Sequence, residues 1–131
     1  MSTDRPMRLA IVDDDEGARS GLVRLLRCLG HVVLPFESAE DFEGAAADVD
    51  CLIVDVRLPG CSGPELRDRL RNRGTLTPIV FITGDANAKT RDLARASVAA
   101  TVMKPFDDAA LMAAIAAAVA AAEGSSTRHA G

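Results

Sequence analysis

The chain is 131 residues long, the size of one compact domain with one core rather than two, since single domains usually run to about 100–200 residues. Hydrophobic residues make up 48% and charged residues 26%, a globular balance that disorder, collagen and coiled coil do not share. With 15 Lys and Arg against 19 Asp and Glu, the net charge of -4 offers no footprint for a phosphate backbone, so no direct nucleic-acid binding is expected.

No apolar run reaches the roughly 18 residues needed to cross a bilayer. The opening MSTDRPMR lacks the apolar region of a signal peptide, so the expected localisation is cytoplasmic, with no membrane partner. Cys28, Cys51 and Cys61 are odd in number and lack CxxC spacing. They are expected to be reduced, with neither disulfide nor zinc.

In chain order, Met7 to Val12 is an apolar run of strand length that stops at the acidic cluster Asp13, Asp14, Asp15 and Glu16. From there to Leu29, apolar residues recur at spacings of three and four (Ala18, Leu22, Leu25, Leu26, Leu29) with arginines between them, which predicts an amphipathic helix stopped by Gly30. His31 to Phe36 reads as a second strand, and Pro35, having no N–H, points to a sheet edge. Ser38 and Asp41 cap a short helix through Ala47.

Cys51 to Val54 is apolar without alternation, as in a strand buried on both faces of a parallel sheet, and it ends in Asp55. Val56 to Gly63 is a Pro/Gly loop, with Pro64 suited to the first turn of a helix running to about Arg73. Thr77 to Ile82 is a fourth strand, followed by Thr83 and Gly84. A fourth helix over Asn87 to Ser97, a fifth strand over Ala100 to Met103 and a last Ala-rich helix over Phe106 to Ala122 complete the pattern. Gly124 to Gly131 reads as a polar tail too short to fold, so residues 1–123 form the domain and 124–131 a tail.

Strands alternating with helices predict an α/β fold with a parallel sheet and helices on both faces. Ligands in such sheets sit outside the carboxyl ends of the strands. Asp13 and Asp14, Asp55, Thr83 and Lys104 all fall just past strand ends. Asp13 and Asp14 meet Asp55 only if the first and third strands are neighbours, as in the flavodoxin-like order 2-1-3-4-5. Carboxylates gathered there would raise one another's pKa unless a cation joined them, and Mg²⁺ fits an all-oxygen set. One carboxylate could then attack a phosphoryl group, with Lys104 and Thr83 neutralising its oxygens.

The segments IVDDDEGAR, LIVDVRLPGCSG, IVFITGDA and VMKPF resemble the response-regulator receiver domain, the CheY-like family of two-component signalling. The likeness covers about residues 7 to 122, and the wording is most similar to the receivers of FixJ-type transcription factors. The resemblance implies that Asp55 is the phosphoacceptor, that Asp14 binds Mg²⁺ directly and Asp13 through water, and that the Arg57 carbonyl is a further ligand. It further implies phosphoryl contacts from Thr83 and Lys104 and a cis peptide between Lys104 and Pro105. The implied partners are a histidine kinase or histidine phosphotransfer protein, and a downstream protein, or a second copy of the chain, on the face of the fourth helix, fifth strand and last helix.

The pattern is broken in three places. Thr101 stands where some receivers carry a Tyr or Phe switch ring, so coupling would run through Thr83 and the loop after it alone, or through another element. Ser97 and Val98 replace a common Gly, and Arg57 replaces smaller residues beside Asp55.

Other readings of these residues stand beside this one. Asp13 to Glu16 could be a solvated helix cap, Thr83 another cap, Lys104 a surface lysine and Cys61 an incidental loop thiol. A haloacid-dehalogenase-type phosphohydrolase would use Asp13 as nucleophile and Asp15 as acid/base, but the chain is short for that fold. A receiver-shaped adaptor without phosphorylation is a third reading, and the excised receiver of a longer transcription factor a variant of the first. The expected protein is a signalling domain rather than an enzyme.

Overall fold

The computed structural model describes residues 6–45, 47–56, 58, 60–83, 100–103 and 107–130. For 100, 101, 103 and 123–130 the description is of the backbone. The strands are β1 (Arg8–Val12), β2 (Val32–Phe36), β3 (Cys51–Asp55), β4 (Ile79–Thr83) and β5 (Ala100–Met103), and they pair in parallel in the order β2-β1-β3-β4-β5. Between them lie α1 (Glu16–Cys28), α2 (Ala39–Ala45) and α3 (Gly63–Asn72), and a C-terminal helix follows over Asp108–Ala130.

Side chains alternate across a strand, so a strand covered on both faces must be apolar at every position. In β1, Leu9 and Ile11 enter one core cluster with Leu22 and Leu26 of α1 and with Leu111 and Ile115 of the C-terminal helix. Ala10 and Val12 enter the other cluster, with Phe42 of α2 and Leu66 and Leu70 of α3. β3 and β4 divide their residues in the same way. This is why their sequences show no period-two polarity. Pro35 lies in β2, an edge strand as expected.

Local signals set the helix ends. Asp15 caps α1 by accepting from the Ala18 N–H at 2.7 Å, and Gly30 leaves that helix at φ 97°, a left-handed conformation that glycine adopts without strain. The Ser38 hydroxyl accepts from the Asp41 N–H at 3.0 Å. α3 begins with a full capping box in which Ser62 accepts from the Glu65 N–H at 3.2 Å while Glu65 accepts from the Ser62 N–H at 2.9 Å. Pro64 occupies the first turn.

Three expectations need correction. α2 ends at Ala45 rather than Ala47. β4 begins at Ile79 rather than Thr77, because the Thr77 carbonyl accepts from the Arg71 guanidinium at 3.2 Å and Pro78 has no N–H to place in a ladder. The segment 124–131, expected to be an unfolded tail, instead continues the C-terminal helix to Ala130. Extending an existing Ala-rich helix adds one hydrogen bond per residue without a new nucleation cost, and Gly124 opposes it by only about 1 kcal/mol. The expected fourth helix over Asn87 to Ser97 lies outside the described residues.

Candidate functional site

Three adjacent strands bring Asp13, Asp55 and Thr83 to one edge. β3 lies between β1 and β4, with Val12 paired to Val54 and Asp55 paired to Ile82. Asp13 follows Val12, which puts it level with Asp55, and Thr83 follows Ile82 one position beyond Asp55, so the three reach the carboxyl ends of strands spaced about 4.8 Å apart. Asp13 and Thr83 are each 2% exposed, Asp55 is partly buried and Asp14 is exposed.

A carboxylate as buried as Asp13 is tolerated only when its surroundings hold it, because desolvation of a charge is costly. The Asp13 N–H donates to the Phe36 carbonyl at 3.1 Å, continuing the β1–β2 pairing by one residue. Its Oδ1 accepts from the Asp15 N–H at 2.9 Å, and its carbonyl accepts from Arg19 Nη1 at 2.7 Å. Asp15 and Glu16 act as the cap and first-turn acid of α1, the role that the helix dipole favours for acids there.

The Asp55 side is shaped by the loop into α3. The Val56 N–H donates to the Ile82 carbonyl at 2.9 Å, and the Gly63 N–H returns to the Val56 carbonyl at 3.2 Å. A Cβ on Gly63 would lie 3.1 Å from both the Asp55 carbonyl oxygen and a Phe81 ring carbon, so only glycine passes this crossing without a shift. Cys61, in the same loop, is 1% exposed, and burial pushes its thiol up. The Cys51 thiol is pushed up to about 12 by burial. Neither is a ready thiolate.

The donors at the edge are carboxylate and hydroxyl oxygens, which suit a hard cation rather than zinc. Among the described residues no three His, Cys, Asp or Glu side chains are gathered into a ready-made metal cage, so Asp13, Asp14 and Asp55 do not form one by themselves. Mg²⁺ does not need one: it is held by one or two carboxylates and keeps several waters. The residues present therefore fit that ion.

Arg57, Gly84, Lys104 and Pro105, and with them the expected carbonyl ligand, ammonium and cis peptide, lie outside the described residues, as do Ser97 and Val98. Thr101 pairs with Phe81 in β5. Sequence reasoning missed Arg19 as a partner of the acidic turn, Gly63 as the crossing point, and the capping box. The box was signalled by the Ser-Gly-Pro-Glu run at 62–65, while nothing local marks the Arg19 contact.

A family model described as the response regulator receiver domain matches residues 9–116. The transcriptional regulatory protein FixJ of Azorhizobium caulinodans is 36% identical over 108 residues, which cover 80% of this chain and 51% of that protein. The C4-dicarboxylate transport transcriptional regulatory protein DctR of Rhodobacter capsulatus is 37% identical over 119 residues, covering 87% and 60%. The solved structure of full-length FixJ from B. japonicum superposes with a TM-score of 0.82 at 31% identity, covering 95% of this chain and 63% of that one. The chain thus spans about half to three-fifths of the length of these curated relatives.

Proposed function

Since this chain belongs to the response regulator receiver domain family of two-component signalling, we propose that Asp55 is its phosphoacceptor and that phosphorylation switches the binding of a downstream partner. Receivers generally use Mg²⁺ and work between histidine kinases and effectors. For this chain the finer reading is a phosphoryl group passed from a kinase or phosphotransfer histidine to Asp55. The observation that carries it is the arrival of Asp13, Asp55 and Thr83 at the carboxyl ends of three neighbouring strands, with Asp13 level with Asp55 and Thr83 one position beyond it.

In the proposed step an Asp55 oxygen attacks phosphorus, the P–N bond to the donor imidazole breaks, and the imidazole leaves with a proton. Asp14, Asp55 and the Arg57 carbonyl would hold Mg²⁺ directly and Asp13 through water, and the ion would supply charge neutralisation there. Asp13 is fixed in orientation before any ligand arrives, so little ordering remains to oppose binding. Thr83 supplies a hydroxyl from the end of β4, and Lys104 the cation that follows β5. The acyl phosphate adds about -1.5 to -2 in charge and new acceptor oxygens, which favour whichever conformer draws Thr83 and Lys104 inward. Partner binding is assigned to the face of β5 and the C-terminal helix, and the segment 87–97 that the sequence reading adds to it lies outside the described residues.

No helix among the described residues is long and apolar enough to cross a membrane, and a cytoplasmic setting, where kinases deliver phosphoryl groups, is part of the proposal. Incubation with acetyl phosphate and Mg²⁺, followed by intact mass and peptide mapping, tests it. One phosphoryl group on Asp55, lost in Asp55→Asn, is the expected result. Labelling at Asp13 would instead favour the phosphohydrolase chemistry, and no labelling at all would favour an adaptor.

A further inference from the structure

Arg19 grips the peptide that joins the two leading acidic residues. Its Nη1 donates to the Asp13 carbonyl at 2.7 Å, and that carbonyl belongs to the peptide plane from which Asp14 continues. The plane before it is held from β2, where the Phe36 carbonyl accepts the Asp13 N–H at 3.1 Å. Two elements, α1 and β2, therefore fix both peptides flanking Asp13, and with them the direction in which its side chain leaves the backbone. The Asp15 N–H then orients the carboxylate itself at 2.9 Å.

Arg19 is itself well anchored. Its own N–H donates to the Asp15 carbonyl at 2.9 Å, in the first turn of a helix capped by Asp15. Arg19 is partly buried, and its charge-assisted hydrogen bond is stronger than a neutral one.

We propose that Arg19 is a positioning residue for cation binding, acting through the Asp13–Asp14 peptide rather than touching the ion. The inference rests on the reading that the acidic turn holds a divalent cation. A bare charge and a positioning contact predict opposite signs. A guanidinium near a cation site repels the cation, so removing it as a simple charge tightens binding. Removing it as a clamp frees the peptide and loosens binding, because the ion must then order the turn.

The test compares Arg19→Gln and Arg19→Lys with the parent protein. With no Trp or Tyr in the chain, Mg²⁺ titration is best followed by amide NMR shifts at 13–15 and by calorimetry, and the melting temperature is measured without metal. Gln matches Arg in helix propensity, so α1 is preserved. The expected result is Mg²⁺ affinity about tenfold weaker in Arg19→Gln, the size seen when a group orienting a metal ligand is removed. Arg19→Lys, which still reaches the carbonyl with a cation, recovers most of the loss, and the metal-free melting temperatures of both stay near the parent's.

Equal or tighter Mg²⁺ binding in Arg19→Gln overturns the positioning role. So does a Lys variant as weak as Gln with both melting lower in step, which marks a purely structural contact. A parent that shows no Mg²⁺ response at 13–15 overturns the cation reading itself. A responding parent with an unaffected Gln variant overturns the Arg19 proposal alone.

Discussion

Gly63 shows how a residue without a side chain sets the geometry of one that has chemistry. A β-carbon there would meet the Asp55 carbonyl oxygen and the Phe81 ring, each at 3.1 Å. The oxygen belongs to the paired strand β3, and Phe81 is fully buried, so neither yields freely. Gly63→Ala is expected to cost about 1–3 kcal/mol, the usual range for overpacking a tight interior contact. It should read out as a lower urea midpoint with an unchanged slope, together with slower labelling of Asp55 by acetyl phosphate. A variant with the parent midpoint would mean that the loop rides outward at no cost, and that the crossing does not hold Asp55 in place.

At the scale of the element, α3 carries its own pH dependence. The Glu65 carboxylate is held below the usual carboxylate range, first by the Ser62 backbone N–H and then by the Ser62 side chain. A depressed folded-state value means that the ionised form favours the fold. Its contribution is therefore complete above the ordinary Glu range and is lost as pH falls through the lower folded value. Thermal melts of the parent and Glu65→Gln should differ at neutral pH and converge on acidification below that range. A gap that stays constant with pH would show that the charge of the box is irrelevant.

The same element marks the limit of what sequence alone made legible. The strands of the sheet centre were readable because burial on both faces demands unbroken apolar runs, and those runs stop at Val12 before Asp13, and at Asp55 and Thr83. The placement of Asp13 beside Asp55 came from a topology rule, and the strand order agrees with it. Pro64 marked the first turn of α3 in the sequence to within one residue, whereas the capping box around it went unread because it is written in the same polar and turn-forming residues as a loop. The contacts of Arg19 with the Asp13 carbonyl, and of Gly63 with β3 and β4, are tertiary, so composition and period carry no trace of them.

In the molecule as a whole, one sheet separates two apolar clusters, and the candidate site stands on the strands that belong to both. Ala10, Leu52, Val80 and Phe81 are fully inaccessible and their strands are paired on both sides, so their amides exchange with solvent only when the whole fold opens. β2 is different: it is an edge strand with Val32 47% exposed, and its unpaired side exchanges through local opening. A ligand that binds only the folded state slows global opening by the factor 1 + [L]/Kd, roughly 100-fold at a hundred times Kd. With Mg²⁺ and beryllofluoride as a phosphoryl mimic at that excess, the amides of β1, β3 and β4 should all slow by one common factor. The outward amides of β2 should not change. Slowing confined to residues 13–15 and 55–56 would show instead that the strand ends bind their ligand without engaging the global stability of the sheet, so the site and the core would be separate cooperative units.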